Sequence, residues 1–557
     1  MQVLPTAFVV ARDLKRLQQI VTVLLRFGFG DLVRRLGLHR LLKQAGLAPG
    51  ETGTAAPGQD TPARLRLAIE ALGPTFIKLG QILATRADLL PADWVAELEK
   101  LHDRVPPLPY DALAPLLEAA LGGTPDAVFA RFDREPLASA SIAQVHRAAL
   151  VDGTEVVVKI RRPGLRPLVE ADLRLLAHAA KLAETELPEL RRYHPEAITR
   201  ALSAAIGEEL DLANEGRNAE LIAAQFEDQP DVVVPAIHWA WTSEEVLVQD
   251  FVAGTRPSDE VGLAAAGLDR RVLAARSSNA FLQMMLIDGV FHADPHPGNM
   301  LCLDGDRIAY LDFGTIGRLS ARRRDQLVTL MAAITGGSAA GVREVLLDWA
   351  GQPDIDARPL EEAAEAFLAR HTRGALGRLK LGQALADFVG LMRDHDLALP
   401  PDLALVLKAL MTSEGVVRRL DPELDVVREV EPVVRRALAA RYAPEALLGR
   451  AGSALLELQA LAGDAPGILR RVLRRLEKGR VKLEVEIGRM DRFGRSIERG
   501  AARIAVAIVT AAFVVGLAPI LAESGPRLWG IPVFALLGCL AALAGLAWLL
   551  LPGRRKD

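Results

Sequence analysis

Phe291-His-Ala-Asp-Pro-His-Pro-Gly-Asn299 is followed, after ten residues, by Tyr310-Leu-Asp-Phe-Gly314. Asp294 precedes Asn299 by five positions and Asp312 by eighteen. The intervening residues explain why that spacing matters. Met300 to Leu303 and Arg307 to Leu311 read as two short apolar strands, and Asp304-Gly305-Asp306 is the turn between them. A hairpin there doubles back and returns Asp312 to the side of Asn299. An amide oxygen and a carboxylate brought together in this way suit Mg²⁺ bound against the phosphates of a nucleotide, with Asp294 beside them.

The same spacing separates a protein-kinase catalytic loop from its metal-binding Asp-Phe-Gly, and a lone Asp-Phe-Gly would carry far less weight. Upstream, Val156-Val-Val-Lys159 has the form of the strand whose lysine meets the α- and β-phosphates. Side chains alternate along a strand, so Lys159 points away from its apolar neighbours, toward the cleft. Glu209-Leu-Asp211 and Glu215 lie on an expected helix between the two halves, where a kinase keeps the glutamate that orients this lysine, and Glu215 is assigned to that ion pair. Glu209 and Asp211, two positions apart, cannot share one face of a helix and are expected to serve different partners. One element is missing. In place of the Gly-x-Gly-x-x-Gly that covers the phosphates of ordinary kinases, the chain has Ala138-Ser-Ala-Ser141 followed by Ile142-Ala-Gln-Val-His146, a stiffer loop because alanine resists positive φ. Another element is extra. Thr75-Phe-Ile-Lys78-Leu-Gly80-Gln81 places Lys78 and Gln81 on one helical face, with Gly80 permitting close packing.

The chain has 557 residues, enough for two or three domains, and half of them are apolar. A net charge of −3 does not suggest a nucleic-acid partner. Its two cysteines, Cys302 and Cys539, exclude a disulfide framework and fit a reducing compartment. Ile504 to Ala522 is nineteen residues without a charge and Leu528 to Leu551 is twenty-four more, joined by Glu523-Ser-Gly-Pro-Arg527. About twenty apolar residues cross a bilayer as a helix, so a transmembrane hairpin is expected. Arg489, Arg492, Arg495, Arg499 and Arg503 precede it and Arg554, Arg555 and Lys556 follow, which puts both flanks and the preceding residues in the cytoplasm.

The fold expected is α+β: a two-lobed protein-kinase-like fold with a helical N-terminal extension and a C-terminal transmembrane hairpin. The expected organisation is an amphipathic helical segment and linker (1–60), a helical extension carrying Lys78, Gly80 and Gln81 (61–128), a small antiparallel sheet lobe (129–255) and a helical lobe (256–430). A basic helical tail (431–503) and two transmembrane helices (504–552) complete it.

Jointly, Lys78-x-Gly80-Gln81, the alanine-rich loop, Glu209-x-Asp211-x-x-x-Glu215, Asp294-Pro-His-Pro-Gly-Asn299 and Asp312-Phe-Gly resemble the UbiB family of atypical, protein-kinase-like proteins. The resemblance covers roughly residues 60–430, and the apolar hairpin is similar to that of bacterial members. It implies a role in ubiquinone biosynthesis and a site that binds, and hydrolyses, ATP. It implies that Lys159 pairs with Glu215, that Ala138, Ser139, Ala140 and Ser141 with Lys159 contact the nucleotide, and that Asn299 and Asp312 hold Mg²⁺. It further implies that the helix of Lys78 and Gln81 occludes the docking place of a protein substrate, held there by Glu209 and Asp211. The family's common loop is Ala-Ala-Ala-Ser, so Ser139 departs from it, which bears on nucleotide preference. The expected partners are ATP, lipid or polyprenyl-phenol quinone precursors in the inner membrane, and other quinone-biosynthesis proteins. The rival expectations are a conventional protein kinase, against which the absent glycine loop and absent Ala-Pro-Glu count, and a non-catalytic scaffold, against which the retained Lys159, Asp294, Asn299 and Asp312 count.

Overall fold

The computed structural model describes residues 13–35, 60–84, 90–101, 105–186, 195–351, 357–372, 381–395, 397, 400–424 and 426–441. Near the C-terminus it also describes 527–528 and 531–532. Residues 1–447 and 448–557 are separate units.

Among the described residues of the first unit, the first elements are α1 (Leu14–Arg26), α2 (Gly30–Arg35), α3 (Thr61–Leu72), α4 (Pro74–Ala84), α5 (Ala92–Leu98), α6 (Tyr110–Leu121) and α7 (Pro125–Val128). Within the expected amphipathic helical segment, α1 ends before Gly28, whose φ of 84° lies in the left-handed region. Its apolar stripe buries Leu17, Ile20 and Val21 against α3 and α4. Gly73, at a φ of 96°, separates α3 from α4, whose first residue is Pro74. Residues 85–89, which follow α4, fall outside the described residues.

A four-stranded antiparallel sheet follows, from β1 (Phe129–Ser139), β2 (Ala143–Leu150) and β3 (Glu155–Arg161). Next come α8 (Leu165–Glu186), α9 (Pro195–Glu209), α10 (Leu212–Ala223) and β4 (Val232–Val233), and then β5 (Val246–Asp250) closes the sheet in the order β1-β2-β3-β5. Period-two alternation sets the role of each face. Val156, Val158 and Ile160 are fully buried and pack with Leu113 and Leu117 of α6 and with Val246 and Val248 of β5. Burying side chains of this size contributes about 1.5–3 kcal/mol each. Lys159, between Val158 and Ile160, is thereby directed to the opposite face.

The rest of the unit is largely helical: α11 (Glu260–Ala265), α12 (Arg270–Gln283), a π-helical turn at Met284–Asp288, α13 (Ala321–Thr335), α14 (Ala339–Trp349), α15 (Ala357–Thr372), α16 (Leu381–Asp394), α17 (Pro401–Leu420) and α18 (Val426–Arg441). These share one large apolar core with α10. Between the π-helical turn and α13 lie β6 (Val290–His292), β7 (Met300–Leu303), β8 (Arg307–Tyr310) and β9 (Ile316–Arg318). β7 and β8 form the expected antiparallel hairpin, with Met300 opposite Tyr310 and Leu303 opposite Arg307. Its tip needs two left-handed residues, supplied by Gly305 (φ 75°) and Asp306 (φ 58°).

In the second unit, Arg527–Leu528 and Ile531–Pro532 form a short antiparallel strand pair. Leu528, Ile531 and Pro532, near the start of the second charge-free run, are therefore in strands, while the remaining residues of both runs fall outside the described residues. Among the described residues no helix is long and apolar enough to cross a membrane.

Candidate active site

Lys159 is the hub of the site. Its Nζ lies 2.9 Å and 2.7 Å from the two carboxylate oxygens of Glu215 and 3.3 Å from Oδ2 of Asp312. Glu215 sits in the first turn of α10 and is 5% exposed, whereas the Asp312 side chain is 43% exposed. Three distant segments thus converge: a strand, a helix start and the loop after β8. Two carboxylates face one ammonium, leaving an excess negative charge. Burial favours the neutral forms of all three groups. Against it, the charges of Asp312 and Glu215 hold the Lys159 pKa above that of a free lysine. For Asp312 the Lys159 charge and the Gly314 amide outweigh burial, so its carboxyl titrates well below the usual range. Glu215 moves the other way. Burial, reinforced by the Asp312 charge, exceeds the attraction of Lys159 and pushes its carboxyl up to about 7.

The Asp312 side chain also accepts from the Gly314 amide at 2.9 Å, fixing the carboxylate over its own turn. Beside it, the Leu311 amide donates to the Asn299 carbonyl at 3.0 Å, extending the hairpin by one rung and setting Asn299 against Asp312. Asn299 Nδ2 is directed to the Asp294 carbonyl (3.4 Å), which turns its amide oxygen away from that contact. One carboxylate and one amide oxygen are hard donors that fit Mg²⁺, an ion that takes the balance of its six oxygens from water and substrate phosphates.

Asp294 is held from two sides. Its amide donates to Nδ1 of His292 at 3.1 Å, and its carboxylate lies 3.5 Å from the ammonium of Lys408 on α17. His292 is buried against Phe313 and Tyr310, and burial pushes its imidazole down to about 4, so the ring is neutral with Nδ1 as acceptor. Lys408 carries no local sequence signal, since Val406-Leu-Lys-Ala409 reads as any helix with one surface lysine.

The expected single helix bearing Glu209, Asp211 and Glu215 is two helices. α9 ends at Glu209 and α10 begins at Leu212, because Asp211 adopts an extended conformation and its carboxylate caps the amides of Ala213 (3.0 Å) and Asn214 (3.3 Å). The buried Arg161, two positions beyond Lys159, donates to the Leu210 carbonyl at 2.8 Å and fixes this break to β3. The expected division of labour between Glu209 and Asp211 follows from the break. Glu209 pairs with Lys78 of α4 at 2.7 Å, and Asp211 pairs with Arg217 at 2.8 Å besides its capping role. Gly80 allows α4 its close approach. A Cβ there would overlap the Leu101 side chain and come 3.3 Å from Ile69. Leu79 and Ile82 of α4 pack in a separate cluster with Ile142, Leu202, Ile206 and Leu210, alongside the Lys78–Glu209 pair.

The alanine-rich segment is less of a loop than its composition suggests. Ala138 and Ser139 belong to β1 and pair with Val145 and Gln144, and Ala140 N–H donates to the Ala143 carbonyl at 2.9 Å, leaving only Ser141 and Ile142 at the bend. Arg162 ties this turn down by donating to the Ala140 carbonyl (2.9 Å), to Ser139 Oγ (2.7 Å) and to the Pro106 carbonyl (2.8 Å). Asn218, one turn beyond Glu215, donates to the Phe313 carbonyl at 3.1 Å, which ties α10 to the Asp-Phe-Gly segment directly as well as through Lys159. Arg161, Arg162, Asn218 and Lys408 all lie beyond sequence reasoning, because each partner is distant along the chain.

Comparison with known proteins adds to this geometry. The description "ABC1 atypical kinase-like domain" matches residues 100–346, "UbiB helical domain" matches 365–425 and "ABC1/UbiB kinase-like C-terminal domain" matches 488–555. A Xylella fastidiosa (strain 9a5c) protein named "Probable protein kinase UbiB" is 35% identical over 96% of this chain and 98% of its own length. The chain belongs to the UbiB family. Another UbiB protein of the same printed name, from Xanthomonas euvesicatoria pv. vesicatoria (strain 85-10), is 35% identical over 96% of this chain and 99% of its own length. UbiB proteins are atypical kinase-like proteins implicated in ubiquinone biosynthesis. A solved Mycobacterium tuberculosis structure titled as a complex with erythromycin aligns at 20% identity with a TM-score of 0.47, covering 65% of this chain and 92% of that one.

Proposed function

We propose that the chain is an ATP-dependent phosphoryl-transfer or ATP-hydrolysing enzyme that supports ubiquinone biosynthesis. The observation that carries this reading is the meeting of Lys159, Glu215 and Asp312 beside Asn299 and Asp294. In this reading Lys159, oriented by Glu215, binds the α- and β-phosphates in a cleft between a sheet lobe and a helical lobe. Ala138 and Ser139 at the end of β1, with Ala140 and Ser141 leading into the bend, cover the nucleotide. Asn299 and Asp312 hold Mg²⁺, which when bound neutralises phosphate charge. Asp294 orients or deprotonates the acceptor, whether water or a small phenolic molecule. Such chemistry asks mainly for positioning and charge neutralisation, which these side chains are placed to supply.

The Lys78–Glu209 pair favours a second part of the proposal. It latches α4 to the helix end two residues before the cap of α10, so release of Lys78, Gly80 and Gln81 would be coupled to the helix that orients Lys159. The two charge-free runs at 504–522 and 528–551 would anchor the chain in the inner membrane, beside its polyprenyl-phenol precursors. The test is quinone content in a deletion strain supplied with the wild-type chain or with Asp312→Asn, with accumulated precursors identified by mass spectrometry. Restoration by wild type and failure of Asp312→Asn supports catalysis. Equal restoration by both favours a scaffold that recruits other quinone-biosynthesis proteins.

A further inference from the structure

A cation reaches Asp294 from far along the chain. Pro295-His-Pro-Gly298, which separates Asp294 from Asn299, contains no lysine or arginine. The positive charge beside the Asp294 carboxylate is Lys408, 3.5 Å away and 114 positions later. Lys408 belongs to α17, inside the segment matched by the UbiB helical domain (365–425) rather than the kinase-like segment (100–346).

The helix that carries it is fixed at both ends. Arg323 of α13 pairs with Asp402 in its first turn at 2.7 Å, and Arg270 of α12 donates to the Arg419 carbonyl in its last turn at 2.6 Å. Leu403, Ala404, Val406, Ala409 and Leu410 are buried around Lys408. The side chain of Lys408 is only 36% exposed, and its charge is felt at His292, where it adds to the depression of that imidazole. Lys408 is thus carried on a helix anchored at both ends and meets the Asp294 carboxylate.

The charge requirement gives it a purpose. Lys159 is already committed to Glu215 and Asp312, on the side of the site assigned to the α- and β-phosphates. A terminal phosphoryl group next to Asp294 would be repelled by its carboxylate, and Lys408 supplies a protein cation at that point besides the Mg²⁺ that Asn299 and Asp312 would hold. We infer that Lys408 is a positioning residue that holds Asp294 and faces the terminal phosphate of the bound nucleotide, so that the helical domain completes the phosphate site. This inference rests on the nucleotide-binding reading above.

A residue that faces only the terminal phosphate must distinguish ATP from ADP. The experiment is calorimetric titration of the full-length, detergent-solubilised chain with Mg-ATP and, separately, with Mg-ADP, for wild type, Lys408→Met and Lys408→Arg, with thermal melts confirming that each variant is folded. Loss of one charge-assisted contact predicts that Lys408→Met lowers the ATP-to-ADP affinity ratio by roughly tenfold with ADP affinity unchanged, and that Lys408→Arg restores most of the ratio. An unchanged ratio in a folded Lys408→Met chain that still binds both nucleotides overturns the inference and leaves the nucleotide reading standing. Failure of the wild type to bind either nucleotide overturns both.

Discussion

A glutamine in place of Glu215 tests the electrostatic reading of the site in the nucleotide-free chain. Glu215 is buried, and its folded-state pKa is raised from 4.5 to about 7. For a group raised in this way, the stabilising contribution is fully present below 4.5 and is lost as pH rises through about 7. The gap between those values, at about 1.4 kcal/mol per pH unit, is on the order of 3 kcal/mol. Glutamine resembles the protonated carboxyl in shape and does not titrate, so Glu215→Gln escapes this loss. Near pH 5 the variant and the wild type should therefore melt close together. Near pH 8 the variant should be the more stable by a few kcal/mol, an upward offset of several degrees. Melting curves of the two chains at half-unit steps from pH 5 to pH 8 measure that offset. An offset that stays flat, or falls as pH rises, would refute the reasoning, because it would mean that the attraction of Lys159 outweighs burial and the Asp312 charge.

Gly80→Ala places a methyl group against Leu101 and Ile69, and overpacking of this kind should cost about 1–3 kcal/mol; denaturant titration checks it, and an unchanged midpoint would contradict the close approach of α4. Asp211→Ala removes the cap of α10 and should cost about 1 kcal/mol, with weaker nucleotide binding as Glu215 loses its fixed helix start; hydrogen exchange over residues 212–216 should rise. Arg162→Ala frees the turn at Ser139 and Ala140, so exchange at Ser141 and Ile142 should increase while the melting temperature drops only slightly.

Much of the site is legible in the sequence because its signals are local. The β7–β8 hairpin follows from an Asp-Gly-Asp turn between two apolar runs, and that hairpin alone brings Asn299 to Asp312. Strand alternation is enough to turn Lys159 away from Val158 and Ile160. The helix through Glu209, Asp211 and Glu215 departs from its expected form for an equally physical reason. Glu208–Ala213 has good helix formers around one aspartate, and only the backbone conformation of Asp211 shows it acting as a cap. Arg161, Arg162, Asn218 and Lys408 are invisible in the sequence because each acts on a backbone carbonyl or a side chain dozens of positions away, where spacing carries no information. Ala138 and Ser139, loop-like in composition, are strand residues because β1 remains paired with β2 to its end.

Titration of Mg-ATP into the purified full-length chain and into Asp312→Asn measures whether the side chains around Lys159 converge on a metal–nucleotide site. The wild type should take up one nucleotide per chain saturably, and the variant, which loses a charged oxygen donor, should bind at least about tenfold more weakly. Equal affinity in both chains, or no uptake by either, would contradict that convergence.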